Sequence, residues 1–187
     1  NMVDAKGKNN SPLFLYYKGD IEAIANTPAI AIIGTREPTP EGVKAGEFFS
    51  AQFAKAGFNI VSGLAIGCDS SAHHGTLKVG GITTAFLAHG LDSVYPKENI
   101  DLAKRIIDTG GVLLSEYPIG TPPMANYFVE RDRLQSGLAD ATLVIQTGIT
   151  GGTLHATRAT LQNCKPLFAV QFKDESLRFH EKVRGNY

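Results

Sequence analysis

Ala29-Ile30-Ala31-Ile32-Ile33-Gly34-Thr35-Arg36 is an apolar run that stops at a glycine and continues with a hydroxyl and a cation. A strand buried on both faces of a parallel sheet reads this way. The Gly-Thr-Arg end has the make-up of a phosphate-binding turn. The same plan returns at 59–67, Asn-Ile-Val-Ser-Gly-Leu-Ala-Ile-Gly, and at 143–153, Leu-Val-Ile-Gln-Thr-Gly-Ile-Thr-Gly-Gly-Thr. Three strand ends bearing glycine and Ser/Thr predict three loops converging on one anionic ligand.

Outward from that run, strand and helix patterns alternate. Strands are predicted at 29–34, 59–62, 82–88, 112–115, 142–146 and 166–170. Helices are predicted at 40–57, 69–79, 99–109, about 128–137 and 152–163. Thr39 is a candidate N-cap with Pro40 at the first helical position, and Asp69 is a candidate cap for the second helix. The apolar residues Val43, Phe48, Phe49, Phe53 and Ala54 are expected on one face of the first of these helices. Residues 12–17 read as an edge strand or a packed segment, Lys18-Gly19-Asp20 as a turn, and 21–26 as one helical turn. Repeated strand–helix units with right-handed crossovers imply an α/β fold, a three-layer, doubly wound, mostly parallel sheet of extended Rossmann-like type. Residues 1–27 are expected to be an N-terminal extension packing on the core, 28–172 the core domain, and 173–187 a polar C-terminal tail.

The 187 residues suit one such domain. Lys+Arg and Asp+Glu are 18 each, so the formal charge is zero, and any anion site must be local. The two cysteines, Cys68 and Cys164, form no CxxC pattern. They are expected to be buried thiols in a reducing compartment. No run of about 18 apolar residues predicts a membrane span, and no secretory h-region is visible near the start. A cytoplasmic location is expected.

Ligands of doubly wound sheets bind beyond the carboxyl ends of the strands, where strand order reverses. That rule selects Gly34, Thr35 and Arg36; Ser62, Gly63 and Gly67; Ser115, Glu116 and Tyr117; and Thr147, Gly148, Gly151, Gly152 and Thr153. Glycines let backbone approach an anion, helix N-termini aim N–H groups at it, and Arg36 can fork two hydrogen bonds to a phosphate. The same glycines also serve tight strand-to-helix turns. GxGxxG is absent after the first strand, no acid ends the second to hold a ribose, and the Walker pattern is absent, which argues against nicotinamide chemistry. Adjacent His73 and His74 point apart on a helix and do not make a metal site; His73 is read as packing, His74 as solvated, and His89 as structural. Lys165, Lys173, Arg178, Lys182 and Arg184, diluted by nearby acids, read as a solvated face.

Lys18-Gly19-Asp20, Gly34-Thr35-Arg36 and Ile60-Val61-Ser62-Gly63-Leu64-Ala65-Ile66-Gly67-Cys68-Asp69 with Ala72-His73 occur in order. Gly90-Leu91-Asp92-Ser93-Val94-Tyr95-Pro96, Glu98-Asn99, Leu114-Ser115-Glu116-Tyr117-Pro118 and Gly120-Thr121-Pro122-Pro123 follow. With these pieces the chain resembles the DNA-processing protein A (DprA/Smf) family from about Pro12 to Val170. The resemblance implies a Rossmann-like domain that binds single-stranded DNA, assists the RecA recombinase in natural transformation, and works as a homodimer. It implies no catalytic residue, cofactor or metal.

Carried over by motif, Arg36 is similar to the family's phosphate-contacting arginine, and Ser62 and Gly63 to its second phosphate turn. Arg131 and Arg133 match its paired arginines, Gly152 and Thr153 its glycine–serine turn, Arg158 an arginine of the next helix, and Phe128 an aromatic that stacks on a base. The sequence departs from the pattern at several points. Asp132 stands between the arginines where asparagine is usual, Glu130 precedes them, His155 replaces an apolar residue, and Gln171-Phe172 replaces proline–glycine. The alternative function is a nucleotide-binding sensor or nucleotide-processing enzyme of the same superfamily, with Asp132 and Glu116 on ribose hydroxyls. The helical glutamate of the phosphoribohydrolases is missing after Gly151-Gly152-Thr153.

Overall fold

In the computed structural model, residues 8–173, 181 and 183–186 are described. Among these residues, seven strands form one sheet: β1 (Tyr16–Gly19), β2 (Ala29–Ile33), β3 (Asn59–Ser62), β4 (Thr83–Phe86), β5 (Val112–Ser115), β6 (Ala141–Val144) and β7 (Leu167–Ala169). Among them also, six α-helices connect the strands: α1 (Glu22–Ala25), α2 (Pro40–Lys55), α3 (Cys68–Lys78), α4 (Ile100–Asp108), α5 (Ala125–Leu138) and α6 (Thr153–Gln162). The strand order is β1-β5-β4-β3-β2-β6-β7. Every pairing is parallel except that of edge strand β1 with β5. Strand order reverses between β2 and β6, so the crevice of the fold opens beyond those two carboxyl ends.

The all-apolar β2 is buried at all five positions because helices cover both of its faces. Its side chains alternate, as the pleat requires. Ala29 and Ala31 pack in a layer with Ile24 of α1 and Leu134 of α5, and Ile33 packs on Ala156 of α6. Ile30 and Ile32 face α2 and α3, with Phe49, Phe53 and Ala72. A third cluster joins Leu87 and Leu113 to Leu77 of α3 and Leu102 and Ile106 of α4.

Thr39 caps α2, its Oγ1 accepting from the Gly42 amide at 3.2 Å. The buried face of α2 differs from the expected one. Val43 and Phe48 are exposed, whereas Gly42, Gly46 and Ser50 are buried. A Cβ on Gly46 would strike Ser71, and one on Gly75 would strike Glu47 and Ser50. Close α2–α3 contact therefore selects small residues, and Phe49 and Phe53 fill the flank. Asp69 is not the cap of α3, because Gly67 (φ +86°) holds that position and Asp69 lies inside the first turn.

Residues 18–19 end a strand rather than make a turn. Asp20 accepts from the amides of Glu22 and Ala23 to start α1. Cys68 is buried, as expected, but Cys164 is exposed. Lys165 does not join a solvated basic face. Its ammonium donates to the carbonyls of Ser136, Gly137 and Ala139 at 2.6–3.0 Å and so satisfies the C-terminal end of α5. The described part of 173–187 docks on the core. Asn186 donates to the carbonyls of Ile145 and Val170 and accepts from the Thr147 amide. Lys173 is exposed, while Arg178 and Lys182 lie outside the described residues. Among the described residues, no helix is long and apolar enough to cross a membrane.

Candidate nucleic-acid interface

At the reversal point the carboxyl ends of β2 and β6 flank a cleft of about 720 Å³. Its floor and walls come from the Gly34–Glu37 turn, the first two turns of α5, and the 147–153 loop that leads into α6. Gln146 ties the two strand ends together. Its carbonyl accepts from the Thr35 amide at 2.8 Å, its side-chain oxygen from the Thr39 amide at 2.9 Å, and its amide nitrogen donates to the Thr39 hydroxyl. Gly34 is required here for space, since a Cβ would lie 2.5 Å from Cys68 Sγ and 2.8 Å from the Gln146 carbonyl.

Of the residues expected at the site, Gly34, Thr35, Arg36, Phe128, Arg131, Gly151, Gly152 and Thr153 line this cleft together, as do Thr147 and Gly148. Arg36 is exposed, its guanidinium carbon 5.0 Å from the Phe128 ring centroid. Arg131 lies on the same ring at 6.0 Å, and Tyr95 flanks it at 5.8 Å between centroids. Phe128 is thus an aromatic platform with two guanidinium groups within cation–π reach of its ring. Helix α5 begins at Ala125, three residues earlier than the pattern predicts, which puts Phe128 in its first turn.

The remaining residues lie elsewhere, each for a visible reason. The Ser62 hydroxyl is buried and donates to the Ile32 carbonyl at 2.7 Å. Gly63 lies beneath Arg131, where a Cβ would overlap the guanidinium, and is shut off from the cleft. Gly67 packs against the backbone of Thr35 and Arg36. Arg133 turns to the other flank of α5, where it makes a two-pronged ion pair with Glu116, both bonds 2.7 Å, and donates to the Asn10 carbonyl. Arg158 is exposed on α6 outside the cleft.

Ser115, Glu116 and Tyr117 are also remote from the cleft. They lie at and just past the carboxyl end of β5, which is three strands from β2, roughly 14 Å at the usual strand spacing. Glu116 is therefore not available to a ribose in this cleft. Tyr117 stacks on Tyr127 and donates to Glu130, so Glu130 faces away too.

Beneath the platform sits a buried charge cluster. Arg131 is 3 % exposed, with Asp69 at 3.9 Å and Asp132 at 3.7 Å. These separations are too long for hydrogen bonds. Among the described residues none accepts from Arg131 Nε or Nη1. Burial pushes the carboxyl of Asp132 up to about 7; Arg131 and Arg36 oppose that rise and Asp69 adds to it. Asp69 is raised for the same first reason, against Arg131. Burial lifts the Cys68 thiol to about 12, so it is no nucleophile.

The strand-end rule omits the α5 residues Phe128, Arg131 and Asp132, which the family resemblance brings in, and Asp69 and Tyr95, which neither reading names as site residues. Asp69 follows the rule's glycine by two residues and reads locally as a cap. Tyr95 is brought in by a loop, with no local signal. His73 is buried, with Nδ1 2.7 Å from the Thr83 hydroxyl, and burial lowers it to about 3. The His89 ring bonds the Gly90 carbonyl and accepts from the Tyr95 amide, a structural role that steadies the Tyr95 loop. Among the described residues, no group of three or more His, Cys, Asp or Glu could hold a metal.

A family model described as DNA recombination-mediator protein A matches residues 3–182. The chain is 34% identical over 159 residues to Protein Smf of Escherichia coli (strain K12), covering 85% of this chain and 42% of that protein. It is 35% identical over 159 residues to DNA processing protein DprA of Bacillus subtilis (strain 168), covering 85% and 53%. The chain spans about half the length of the curated relatives it matches. DNA processing protein A from Helicobacter pylori, solved for its single-stranded DNA binding mode, superposes with a TM-score of 0.85 at 30% identity, covering 100% of this chain and 83% of that one. DprA from Streptococcus pneumoniae gives 0.82 at 31% identity, covering 96% and 62%. The molybdenum cofactor carrier protein of Chlamydomonas reinhardtii shares the fold alone, with a TM-score of 0.55 at 18% identity. With its doubly wound sheet and the Gly-Thr-Arg turn at the point of reversal, the chain belongs to the DNA recombination-mediator protein A family, the DprA/Smf proteins.

Proposed function

We propose that the cleft between β2 and β6 binds single-stranded DNA. The observation that carries this reading is the exposed Arg36 guanidinium over the Phe128 ring, at the mouth of a cleft whose far wall is the N-terminal end of α6. A base stacks on Phe128, Arg36 pairs with the adjoining phosphate, and the 150–153 loop offers backbone N–H groups to the strand. The single-stranded DNA binding mode of the Helicobacter pylori relative supports the same ligand. No bond is made or broken in this reading, and no cofactor enters it. Single-strand capture in the cytoplasm, delivery to RecA and action as a homodimer follow from family membership as further parts of the proposal.

The test is a titration of labelled oligo-dT at fixed low salt. Arg36→Ala loses most of the affinity while melting like the wild type, and the wild-type affinity falls steeply with added salt. Equal affinity of the two proteins refutes the reading. A mononucleotide reading draws on Asp69 and Asp132, carboxylates that would accept from sugar hydroxyls. A thermal-shift screen separates the two: a shift with mononucleotides and none with oligonucleotides favours the second.

A further inference from the structure

The cleft carries more acid than base. Its charged lining is Arg36 and Arg131 against Glu37, Asp69 and Asp132, a formal −1 when all three carboxyls are ionised. A site with that balance does more than attract anions; it grades them by charge.

Asp132 stands where a bound anion belongs. Helix α6 starts without a side-chain cap and without an acidic residue in its first turn. The amides of Leu154 and His155 donate to the carbonyls of Gly151 and Gly152, and the dipole of the helix favours a negative charge at this end. Asp132 reaches across from α5 to provide one, with Oδ2 3.7 Å from the position a Cβ would take on Gly152. Its other oxygen accepts from Gln135 Nε2 at 3.3 Å and faces Arg131 Nη1 at 3.7 Å. Asp69 of α3 and Arg36 of the β2–α2 turn share its field. The carboxylate is 15 % exposed and opens to the cleft.

The geometry points to Asp132 as a specificity-determining residue that turns away phosphate dianions and admits the singly charged phosphodiester of a nucleic-acid chain. The inference rests on the DNA reading of the cleft and sharpens it to chain over monomer. A phosphate monoester carries close to two charges above its second pKa of about 6, whereas a diester carries one. At a separation of about 6 Å, the extra charge opposite Asp132 is worth a factor of roughly 3 at the dielectric of water and roughly 100 at an effective value near 20. Phosphates further along a bound strand lie beyond the Debye length of about 8 Å and feel little of it. Selection against a competitor by placed repulsion is a general route to specificity.

The experiment compares thymidine 5′-monophosphate with its methyl ester, a dianion and a monoanion of nearly the same shape, by NMR titration at about pH 8, with oligo-dT measured alongside. The wild-type protein is expected to prefer the ester. Asp132→Asn gains roughly tenfold more affinity for the monophosphate than for the ester. Asp132→Glu, which keeps the charge, retains the wild-type preference. Equal gains for both ligands in Asp132→Asn overturn the inference. So does a loss of monophosphate binding, which would make the carboxylate a sugar-hydroxyl ligand. Oligo-dT affinity is the separate check on the DNA reading: charge discrimination without oligomer binding removes the DNA ligand and leaves Asp132 as the charge filter.

Discussion

Replacing Asp132 by asparagine changes how stability responds to pH, and the sign follows from its surroundings. Burial among α5, α3 and Asp69 disfavours the ionised carboxylate, and Arg131 and Arg36 offset this only in part. Its folded value is therefore raised from 3.8 to about 7. Between those values the folded chain holds a proton that the unfolded chain has lost. The contribution is fully present below the unfolded value and is lost as pH rises through the folded one. At about 1.4 kcal/mol per unit, a rise of this size sets an upper limit near 4 kcal/mol. The side chain keeps 15 % exposure and shares its proton equilibrium with Asp69, so about 2 kcal/mol is expected. His73, lowered to about 3, contributes the opposite slope, but equally in both proteins. Urea melts at about pH 5 and about pH 8 measure the effect. The wild type should lose about 2 kcal/mol more than Asp132→Asn over that interval, and the variant should be the more stable protein at the higher pH. Parallel profiles would show that the carboxylate is ionised in the folded chain throughout, and would refute the charge cluster as described.

Other substitutions separate roles that the sequence alone runs together. Lys165→Met strips three carbonyls of α5 of their donor; a loss of about 2 kcal/mol, or roughly 4–8 °C in Tm, is expected, and a change under about 0.5 kcal/mol contradicts the capping role. Arg133→Ala leaves Glu116 with an unpaired, largely buried charge. It should cost about 3 kcal/mol in a denaturant melt while oligo-dT affinity of the folded fraction holds, and the converse pattern would place Arg133 on the DNA. Phe128→Ala should weaken oligo-dT by about 1–3 kcal/mol at unchanged salt slope, because stacking releases no counterion; a changed slope argues against a stacking platform.

Much of the fold is legible because buried parallel strands announce themselves. Ala29–Ile33 has no polar residue to interrupt it, and the glycine that follows marks its end. The sidedness of α2 is less legible. Hydrophobicity ranks Phe48 above Gly46, but the close α2–α3 crossing rewards small volume, so Gly46 is inside and Phe48 outside. In the cleft, Arg36 and the 151–153 loop follow from the strand-end rule. The rule does not rank strands by distance from the reversal point, so it includes Glu116, three strands away. Arg131 and Arg133 look equivalent in sequence. They are two positions apart on a helix and so leave it in different directions, one to the cleft and one to Glu116. Residues joined only by tertiary packing, such as Tyr95 with Phe128 or Lys165 with the end of α5, leave no trace in the local pattern.

If single-stranded DNA lies in the cleft at the β2–β6 reversal and not elsewhere on the surface, arginines inside and outside that cleft respond differently to substitution. Arg36 and Arg158 are both exposed, and the family resemblance puts both forward as strand contacts, but of the two only Arg36 lines the cleft. Oligo-dT affinity of Arg36→Ala and Arg158→Ala, measured side by side at one low salt concentration, tests this placement directly. The predicted result is a large loss for Arg36→Ala and wild-type binding for Arg158→Ala. Retained binding in Arg36→Ala, or an equal loss in both variants, would contradict it.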